Sequence, residues 1–369
     1  MENLFNILLL SLVSLREIKS HAADSGLSVE DVIPEIKAGR FETLEHISRV
    51  YDKSPVKTAE AIIKKCEASH VKIVIPSDKN YPFLLKEIHT PPSILYMEGS
   101  FNNERCISIV GTRKSDKTSE AVTRKIATAL SEYGITVVSG MALGIDRSAH
   151  LSALKSGGAT VAVLPNGIDV LYPFQNRDVF EAIKESENSC LISEFPPGVV
   201  PGQKWVFARR NRIVSGISQG VVIVKAPYKS GAMITARYAL EQNRDVFACP
   251  GHAFDPGYEG CHALIKDGAV MVSSMEDIFD EISPSSLFRQ ERVSHPGFME
   301  ETPLPLNKIS GCNLTEIEKN IISLINRDGV DIDHLIRTLN EGADRVSEVV
   351  TVLQIEGLVE RVGNRVFLN

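Results

Sequence analysis

Short apolar runs alternate with segments of helical spacing through the middle of this chain. The runs, which are rich in Val and Ile, cover residues 106–110, 135–138, 159–164, 190–192, 220–224 and 245–248. Between them, apolar residues recur every three or four positions over 119–133, 146–154, 178–184 and 232–241. Strands that are apolar throughout are covered by helices on both faces. The alternation therefore predicts an α/β fold with a Rossmann-like, doubly wound and mostly parallel sheet.

The residues before this segment have a different pattern. An apolar run at 4–13 predicts a buried helix, and further helix starts lie near 28–31, 41–45 and 54–57. We therefore predict an N-terminal helical (SAM/HhH-like) domain over residues 1–70 and an extended Rossmann-like domain over residues 71–283. Within the latter, residues 71–75 are strand-like, and Pro91-Pro92 indicates a loop that leads residues 93–96 into an edge strand.

The C-terminal part divides into a linker and a small domain. Residues 284–312 are rich in Pro and Ser, which is typical of a linker. Residues 313–369 predict helices over 315–326, 332–339 and 344–356, followed by a hairpin that turns at Gly363-Asn364. Three helices and a hairpin predict a winged helix flanking the central sheet domain.

Neither a membrane segment nor a disulfide framework is indicated. The apolar run at 4–13 is far shorter than the roughly 20 residues that a membrane span needs, and Glu2 stands where a signal peptide would be basic. The six cysteines are scattered, as in proteins of a reducing compartment: Cys66, Cys106, Cys190, Cys249, Cys261 and Cys312. We expect a cytoplasmic protein with no membrane partner.

The charge distribution is strongly uneven. The formal net charge is −7, which taken alone disfavours a polyanionic partner. Residues 195–240, however, contain no Asp or Glu and seven basic residues, so this window carries +7 and the remainder −14. A local positive field of this kind attracts a polyanion even when the whole molecule is acidic.

Three glycine-containing segments lie next to predicted strands or helices, at positions where an anion could bind. Residues 110–113 and 139–146 come directly after strands, and 229–231 open a helix. Ligands of doubly wound sheets bind outside the carboxyl ends of strands, and backbone N–H groups there form anion-binding nests. Two structural alternatives stay open: Gly111 could simply form a tight turn, and Ser230 could cap its helix.

The densest candidate is the segment 204–212, which holds four cations and two aromatic residues. Cations that follow a backbone and aromatic rings that stack bases are the components of sequence-tolerant single-strand binding. The alternative is a core Trp and Phe beside a solvated basic face. Because no acid lies within the window to pair these cations, we favour binding. The predicted contacts are Gly111, Arg113, Ser139, Gly140, Lys204, Phe207, Arg209, Arg210, Asn211, Arg212, Lys229, Ser230 and Gly231.

Catalytic, cofactor and metal sites are not indicated. Neither a dinucleotide fingerprint nor a P-loop is present, and Ser139 lacks the elbow and the base of a serine nucleophile. The set Cys249, His252, Cys261 and His262 matches no zinc spacing. Asp146 and His150 lie at i, i+4, where we expect a structural helix-end pair. We therefore predict no cofactor, no metal and no catalytic residue.

The predicted winged helix is acidic. Residues 313–369 contain ten acids against six Lys or Arg, a net charge of −4. A helix that reads duplex DNA needs a basic footprint. A protein-contact role is therefore at least as well supported as DNA binding for this domain.

Taken in order, the motifs resemble the DNA-processing protein A (DprA/Smf) family over residues 81–272. Each motif is weak alone, but the ordered set is specific. The set comprises residues 110–113, 139–146, 167–169, 172–173, 193–198, 207–216, 230–237, 250–251 and 264–269.

The resemblance implies a more specific function than the residues alone indicate. It implies a dimeric, non-catalytic recombination mediator that binds and protects incoming single-stranded DNA and loads the RecA recombinase during natural transformation. The DNA contacts of the family correspond here to Arg113, Lys204 and Phe207, with residues 210–212 beside them.

This sequence departs from the family pattern at three positions. Pro165 stands where the family usually has Gly, and His262 stands where Asn is usual. Lys225 replaces a usual acid, and we expect it to strengthen a positive groove.

Two other functions are weighed against this one. A Rossmann-like (LOG-type) hydrolase of the nucleotide N-glycosidic bond would need a catalytic carboxylate, for which Glu194 is the nearest candidate. A transcription regulator would bind DNA through the winged helix, which the acidic balance of that domain disfavours.

Overall fold

A computed structural model describes residues 2–25, 28, 30–101, 105–202, 204–282, 315–325, 330–339, 342–355, 359–362 and 365–368 of the 369-residue chain. The chain divides into two compact units, residues 1–294 and 295–369. The predicted linker at 284–312 and the hairpin turn at Gly363-Asn364 lie outside the described residues. In the described ranges, no helix is long and apolar enough to cross a membrane.

The first unit is built on one sheet, with nine strands among the residues described. In sheet order β1-β2-β6-β5-β4-β3-β7-β8-β9, the strands from β6 to β9 are parallel, and β1 and β2 add antiparallel at one side. The strands are β1 (Lys72–Val74), β2 (Leu95–Gly99), β3 (Cys106–Val110), β4 (Thr136–Ser139), β5 (Thr160–Leu164), β6 (Cys190–Ser193), β7 (Gly220–Ile223), β8 (Asp245–Ala248) and β9 (Val270–Met271).

The strand order confirms the predicted doubly wound, mostly parallel sheet. From β3 the chain adds β4, β5 and β6 outward in one direction, and it then returns to place β7 on the other side of β3. Ligands of open α/β sheets bind at such a reversal, outside the carboxyl ends of the strands. The predicted edge position for residues 93–96 is wrong, because β1 pairs along the outer side of β2.

Helices cover both faces of this sheet. They are α1 (Glu2–Leu12), α2 (Leu15–Ser25), α3 (Ile33–Lys37), α4 (Glu45–Ser48), α5 (Pro55–Ala68), α6 (Phe83–Lys86), α7 (Lys117–Glu132), α8 (Ile145–Lys155), α9 (Arg177–Glu185), α10 (Lys204–Ile217), α11 (Gly231–Glu241), α12 (Glu259–Lys266) and α13 (Glu276–Ile282). Within β3, Cys106 and Val110 pack with α10, α11 and α12, whereas Ile107 and Ile109 pack with α7, α8 and α13. This alternation is the period of two that a strand imposes.

Helix α10 was not predicted from the apolar pattern. Its buried stripe contains Val206, Ile213, Val214 and Ile217, but a cation, Arg210, occupies the stripe between them and is itself only 5% exposed. A buried arginine breaks the apolar periodicity on which helix assignment depends.

The N-terminal helices share a core with the sheet. Leu8, Leu12 and Ile62 belong to the same buried cluster as Leu164 and Leu191 of the strands. The predicted buried helix near the start is present as α1. The predicted SAM/HhH-like character and the domain boundary at residue 70 stay predictions.

The second unit has the helix and strand order predicted for a winged helix. It comprises α14 (Glu316–Leu324), β10 (Val330–Asp331), α15 (Ile332–Leu339), α16 (Ala343–Ile355), β11 (Val359–Val362) and β12 (Arg365–Leu368). The three strands form a small sheet in the order β10-β12-β11. Ile321, Leu335, Val346 and Leu353 form a separate core between its helices.

Candidate nucleic-acid interface

The segments that follow β3 and β4 meet at the carboxyl edge of the sheet. The N–H of Ile145 donates to the carbonyl of Thr112 over 3.2 Å, and the N–H of Thr112 donates to the carbonyl of Lys225 over 2.7 Å. A Cβ at Gly111 would lie 2.6 Å from the side chain of Ile145. The structure therefore supports the packing explanation for Gly111, and its contact with DNA stays a prediction.

Arg113 and Phe207 form an aromatic and cationic pair at this reversal of strand order. The guanidinium carbon of Arg113 lies 5.5 Å from the ring centroid of Phe207, and the ring centroid of Tyr172 lies 5.8 Å from that of Phe207. Arg113 is exposed, and no carboxylate pairs with it in the described part of the chain. A ring and a free guanidinium together can stack a base and bind a phosphate.

Helix α10 presents its functional residues on two different faces. Phe207, Arg210 and Asn211 are spaced i, i+3 and i+4 and lie toward the loops of the carboxyl edge. Arg209 and Arg212 lie on another face, where they bind Glu194. The dense basic segment is therefore divided by the helix into two groups with different partners.

Glu194 neutralises two of the predicted DNA contacts. Its carboxylate accepts from Arg209 over 2.9 Å and from Arg212 over 2.5 Å, and Arg212 also donates to the carbonyl of Thr90. The expectation that these cations lack acidic partners is wrong, because Glu194 directly precedes the acid-free window and folds back onto α10. Their contact with DNA stays a prediction, in which a phosphate would compete with this carboxylate.

Trp205 does not join the Phe207 pair. Its ring lies 5.7 Å from that of His46 in α4 and 6.4 Å from that of Phe195, with edge-to-face or tilted geometry. Of the two aromatic residues in the basic segment, only Phe207 therefore contacts Arg113.

Arg210 points into the protein. Its guanidinium donates to the carbonyl oxygens of Gly140 and Val163, and its Nε donates to Asn211 over 3.1 Å. Burial lowers the pKa of Arg210 to about 10, although Asp146 nearby opposes that shift. Its donors thus hold the ends of β4 and β5 together, so we expect Arg210 to position the interface rather than to neutralise a phosphate.

The predicted anion-binding nest at 139–146 already holds an anion of the chain itself. The buried carboxylate of Asp146 accepts from the N–H groups of Gly140 and Ala142 over 3.2 and 3.3 Å. Burial raises the pKa of Asp146, while Arg210 and these N–H groups lower it. The hydroxyl of Ser139 donates to the carbonyl of Ile109 over 2.6 Å, so this side chain links β4 to β3.

His150 does not pair with Asp146, contrary to expectation. Its Nδ1 lies 2.7 Å from the hydroxyl of Thr160, which itself donates to the carbonyl of Val137. Nδ1 must therefore carry the proton, and the buried Nε2 has no hydrogen-bond partner among the residues described. Burial, with Arg210 nearby, lowers the pKa of His150 to about 3.

Lys225 does not strengthen a positive groove. Its Nζ lies 2.6 Å from Asp116 and 2.9 Å from Asp255, and 4.7 Å from the ring centroid of Tyr258. The hydrogen bond to Lys225 lowers the pKa of Asp116, and the bond to Asp116 raises the pKa of Lys225. The expectation was wrong because two carboxylates outside the basic window neutralise the ammonium, which joins the segments after β3, β7 and β8.

The loop that opens α11 retains a free cation. Lys229 is exposed and has no acidic partner within the described ranges. Ser230 occupies the N-cap position, but its side chain makes no cap hydrogen bond, contrary to the capping alternative. The amide of Asn211 donates to the carbonyl of Gly231 over 3.2 Å, and a Cβ at Gly231 would meet open space.

Lys204 begins α10, but its side chain lies outside the described part. Two residues near Arg113 were missed from the sequence. Lys114 is exposed beside it, and Tyr172 packs against Phe207. The signal for Lys114 was its place directly after Arg113, and the signal for Tyr172 was its motif with Pro173.

The cysteine and histidine set after β8 is dispersed into other contacts. Cys249 and Cys261 are buried free thiols, and His262 lies 3.2 Å from the carbonyl of Gly251. No three His, Cys, Asp or Glu side chains are grouped to hold a metal ion, as far as the described residues extend.

Comparison with protein families and curated proteins gives consistent matches. The family model described as DNA recombination-mediator protein A matches residues 72–283, and that of the DprA winged helix domain matches residues 309–365. Protein Smf of Synechocystis sp. is 34% identical over 322 residues, which cover 81% of this chain and 80% of that protein. DNA processing protein DprA of Bacillus subtilis is 38% identical over 251 residues, or 67% and 81% of the two chains.

Two solved structures resemble part of this chain. DNA processing protein A from Streptococcus pneumoniae has a TM-score of 0.55 at 33% identity and covers 69% of this chain and 92% of its own. DNA processing protein A from Helicobacter pylori, described for its single-stranded DNA binding mode, has a TM-score of 0.51 at 28% identity. It covers 57% of this chain and 95% of its own.

Proposed function

This chain belongs to the DNA recombination-mediator protein A (DprA/Smf) family, as its motifs predicted, and we propose that it binds single-stranded DNA along the carboxyl edge of its sheet. The observation that carries the proposal is the pairing of exposed Arg113 with Phe207 at the reversal of strand order. An unstacked base would lie against the ring, and the adjacent phosphate would contact the guanidinium.

The charge that supports the proposal is local. Arg113, Lys114 and Lys229 are exposed at this edge, and none pairs with a carboxylate in the part of the chain that the structure describes. Arg210 and Lys225 lie behind them, in internal contacts. The number of cations open to phosphate is therefore smaller than the window of seven suggests, and a modest salt dependence is expected.

The geometry favours an unpaired strand over a duplex. A duplex keeps its bases stacked on each other, so the ring of Phe207 would have no free face to contact. The structure of the Helicobacter pylori relative is described for its binding of single-stranded DNA. A similar ligand for this chain is consistent with the shared family and fold.

The experiment is to measure the affinity for a single-stranded oligonucleotide and for the same sequence as a duplex, at about 50 and 200 mM salt. The proposal expects tighter binding of the single strand at both concentrations. It also expects log K to fall against log salt with a slope of about −0.7 for each phosphate contact. Equal binding of the duplex, or no binding at low salt, would refute it.

The finer elements of the function are proposed from the family resemblance alone. They are homodimerisation, protection of incoming single-stranded DNA and loading of RecA recombinase during natural transformation, in the cytoplasm. The buried free cysteines fit a reducing compartment. Strand exchange by RecA on DNA coated with single-strand-binding protein tests the loading, because only a mediator shortens the lag.

We propose that binding proceeds without catalysis. The alternative, a LOG-type nucleotide N-glycosidic hydrolase, needs a carboxylate that is free to act on substrate. Both oxygens of Glu194 accept from Arg209 or Arg212, and the hydroxyl of Ser139 donates to Ile109. Release of base from nucleoside monophosphates would favour the alternative.

A further inference from the structure

Three neighbouring helices on one face of the sheet begin at the same edge. Helices α10, α11 and α12 share one apolar cluster, and each connects parallel strands, so their N-termini lie at the carboxyl ends of the strands. Each start is accompanied by an aromatic residue: Phe207 in the first turn of α10, Tyr228 three residues before α11, and Phe254 five residues before α12.

The second and third of these rings face solvent. Tyr228 is 60% exposed, and Phe254, at 89%, is the most exposed large apolar side chain among the residues described. Each exposed ring forgoes the stabilisation that burial of its apolar surface would give. At the edge where the proposed single strand lies, exposed rings are available to stack bases.

Phe254 is held outward by a hydrogen-bonded turn. The N–H of Asp255 donates to the carbonyl of His252 over 3.0 Å, and the N–H of Tyr258 donates to Asp255 over 2.9 Å. The carboxylate of Asp255 accepts from the N–H of Gly257 over 2.7 Å and from buried Lys225 over 2.9 Å. The turn that carries the Phe254 ring is therefore bonded to Lys225, which follows the end of the neighbouring strand β7.

The aromatic residues are arranged in the order of the strands. β7 pairs with β3 on one side and with β8 on the other, so two strand spacings, about 10 Å, separate the ends of β3 and β8. The N–H of Gly260 donates to the carbonyl of Ala226 over 2.9 Å, which ties the start of α12 to the loop of Tyr228. Lys229, exposed and adjacent to Tyr228 in the chain, adds a cation to this loop.

We propose that Tyr228 and Phe254 are stacking platforms that extend the single-stranded DNA path from Arg113 and Phe207 across the ends of β7 and β8. Lys229 contacts the phosphate between the two platforms. The inference rests on the proposed function, since it takes the Arg113–Phe207 pair as the start of the path. Continuity with that pair and the exposed cation next to Tyr228 favour an unpaired nucleic acid strand over an apolar protein segment as the occupant.

A length series of oligothymidylates tests the extension. A strand of about two nucleotides is shorter than the roughly 10 Å between the ends of β3 and β8 and can occupy the Arg113–Phe207 pair alone. A strand of about 16 nucleotides reaches all platforms. Phe254→Ala and Tyr228→Ala are expected to leave the affinity for the short strand unchanged. For the long strand we expect each to weaken affinity by between about fivefold and a hundredfold, the range for one base stack.

Phe83→Ala is the matched control. Phe83 is also an exposed aromatic residue, but it lies on α6, whose Leu85 packs against Gly216 near the end of α10. This is the opposite end of the helix from Phe207, so the variant should bind both strands as the wild type does. Because the altered side chains are exposed, the midpoints of thermal unfolding of these variants should match that of the wild type.

A spectroscopic variant reports stacking directly. Trp205 is the only tryptophan of the chain, so Trp205→Phe with Phe254→Trp places the single indole at the outer platform. Binding of the long strand should quench its fluorescence, and binding of the short strand should not. The inference is overturned if the long strand does not quench it, or if Phe254→Ala binds the long strand like the wild type.

Different results would refute the proposed function and its extension to the outer rings. If Arg113→Glu and Phe207→Ala leave binding unchanged, or if the wild type binds no single strand, the proposed function fails. If those variants lose binding while Tyr228→Ala and Phe254→Ala do not, the proposed function stands and the extension fails. Equal loss for short and long strands would also overturn the extension, because the outer rings would then belong to the first contact.

Discussion

Arg210 and Asp146 both form hydrogen bonds with the backbone of Gly140. The carbonyl of Gly140 accepts from the Arg210 guanidinium, and its N–H donates to the Asp146 carboxylate over 3.2 Å. Both charged side chains are buried, and a Cβ at Gly140 would lie 2.6–2.7 Å from the guanidinium. The loop at the centre of the interface is therefore fixed by two buried side chains of opposite charge that both bind Gly140, so these two side chains are not free to contact DNA.

Arg210→Met should destabilise the fold far more than Arg113→Met. The first change leaves the carboxylate of Asp146 buried without its cation, which typically costs about 3–5 kcal/mol. The second removes an exposed cation and should change the free energy of unfolding by less than about 0.5 kcal/mol. Urea denaturation followed by circular dichroism measures both.

A double variant separates the lost pair from lost packing. In Arg210→Met with Asp146→Leu, neither charge remains buried, so part of the stability should return and the two changes should not be additive. Additive losses would mean that the two side chains do not interact. Equal stability of Arg210→Met and the wild type would show that the guanidinium is not buried.

Arg113→Ala should weaken single-strand binding and reduce its salt dependence. Loss of one phosphate contact lowers the slope of log K against log salt by about 0.7 for a single strand. Arg124→Ala is the control, since Arg124 is also exposed but lies in the middle of α7. A salt titration of binding distinguishes them, and an unchanged slope for Arg113→Ala would remove Arg113 from the interface.

The mostly parallel sheet and the segments at its carboxyl edge could be predicted from the sequence because each depends on local patterns. Continuous apolar runs predicted parallel strands, and the glycine-containing segments after β3 and β4 predicted the carboxyl edge. Helix α10 could not be predicted, because the buried position of Arg210 is explained only by two carbonyls, those of Gly140 and Val163. These acceptors are 70 and 47 residues away in the sequence.

The partners of the cations could not be predicted for a related reason. A window without acids suggested unpaired charge, yet Asp116 and Asp255 approach Lys225 from loops 109 and 30 residues away. Ion pairs between the loops of a doubly wound sheet depend on strand order. A charge count along the chain therefore overestimates the positive field that DNA would meet.

His150→Gln should make the fold less sensitive to acid. The unfolded chain protonates His150 near pH 6.5, whereas the native state protonates it only near pH 3, because burial lowers its pKa. Between these values the unfolded state binds more protons, so stability falls as the pH falls. At pH 5 the cost is about 2 kcal/mol, from 1.5 pH units below 6.5 at 1.36 kcal/mol each.

The measurement is the free energy of unfolding at pH 7.5 and pH 5 for both proteins. Asp146 is present in both, so its own contribution to the pH dependence cancels in the comparison. The loss on acidification should be about 2 kcal/mol smaller in His150→Gln. An equal loss in the two proteins would mean that the native state protonates His150 near its ordinary pKa.

Gly144→Ala should destabilise the fold more than Gly39→Ala, although both glycines have positive φ, +78° and +85°. Each change incurs the cost of the left-handed region for a residue with a Cβ, roughly 1–2 kcal/mol. At Gly39 nothing lies within 4 Å of the new Cβ, whereas at Gly144 it would lie 2.4 Å from the carbonyl oxygen of Thr112. We therefore expect an additional loss of about 1–3 kcal/mol for Gly144→Ala. Since Thr112 adjoins Arg113, the same variant should weaken single-strand binding, and equal losses of stability in the two alanine variants would contradict the close approach of the segments after β3 and β4.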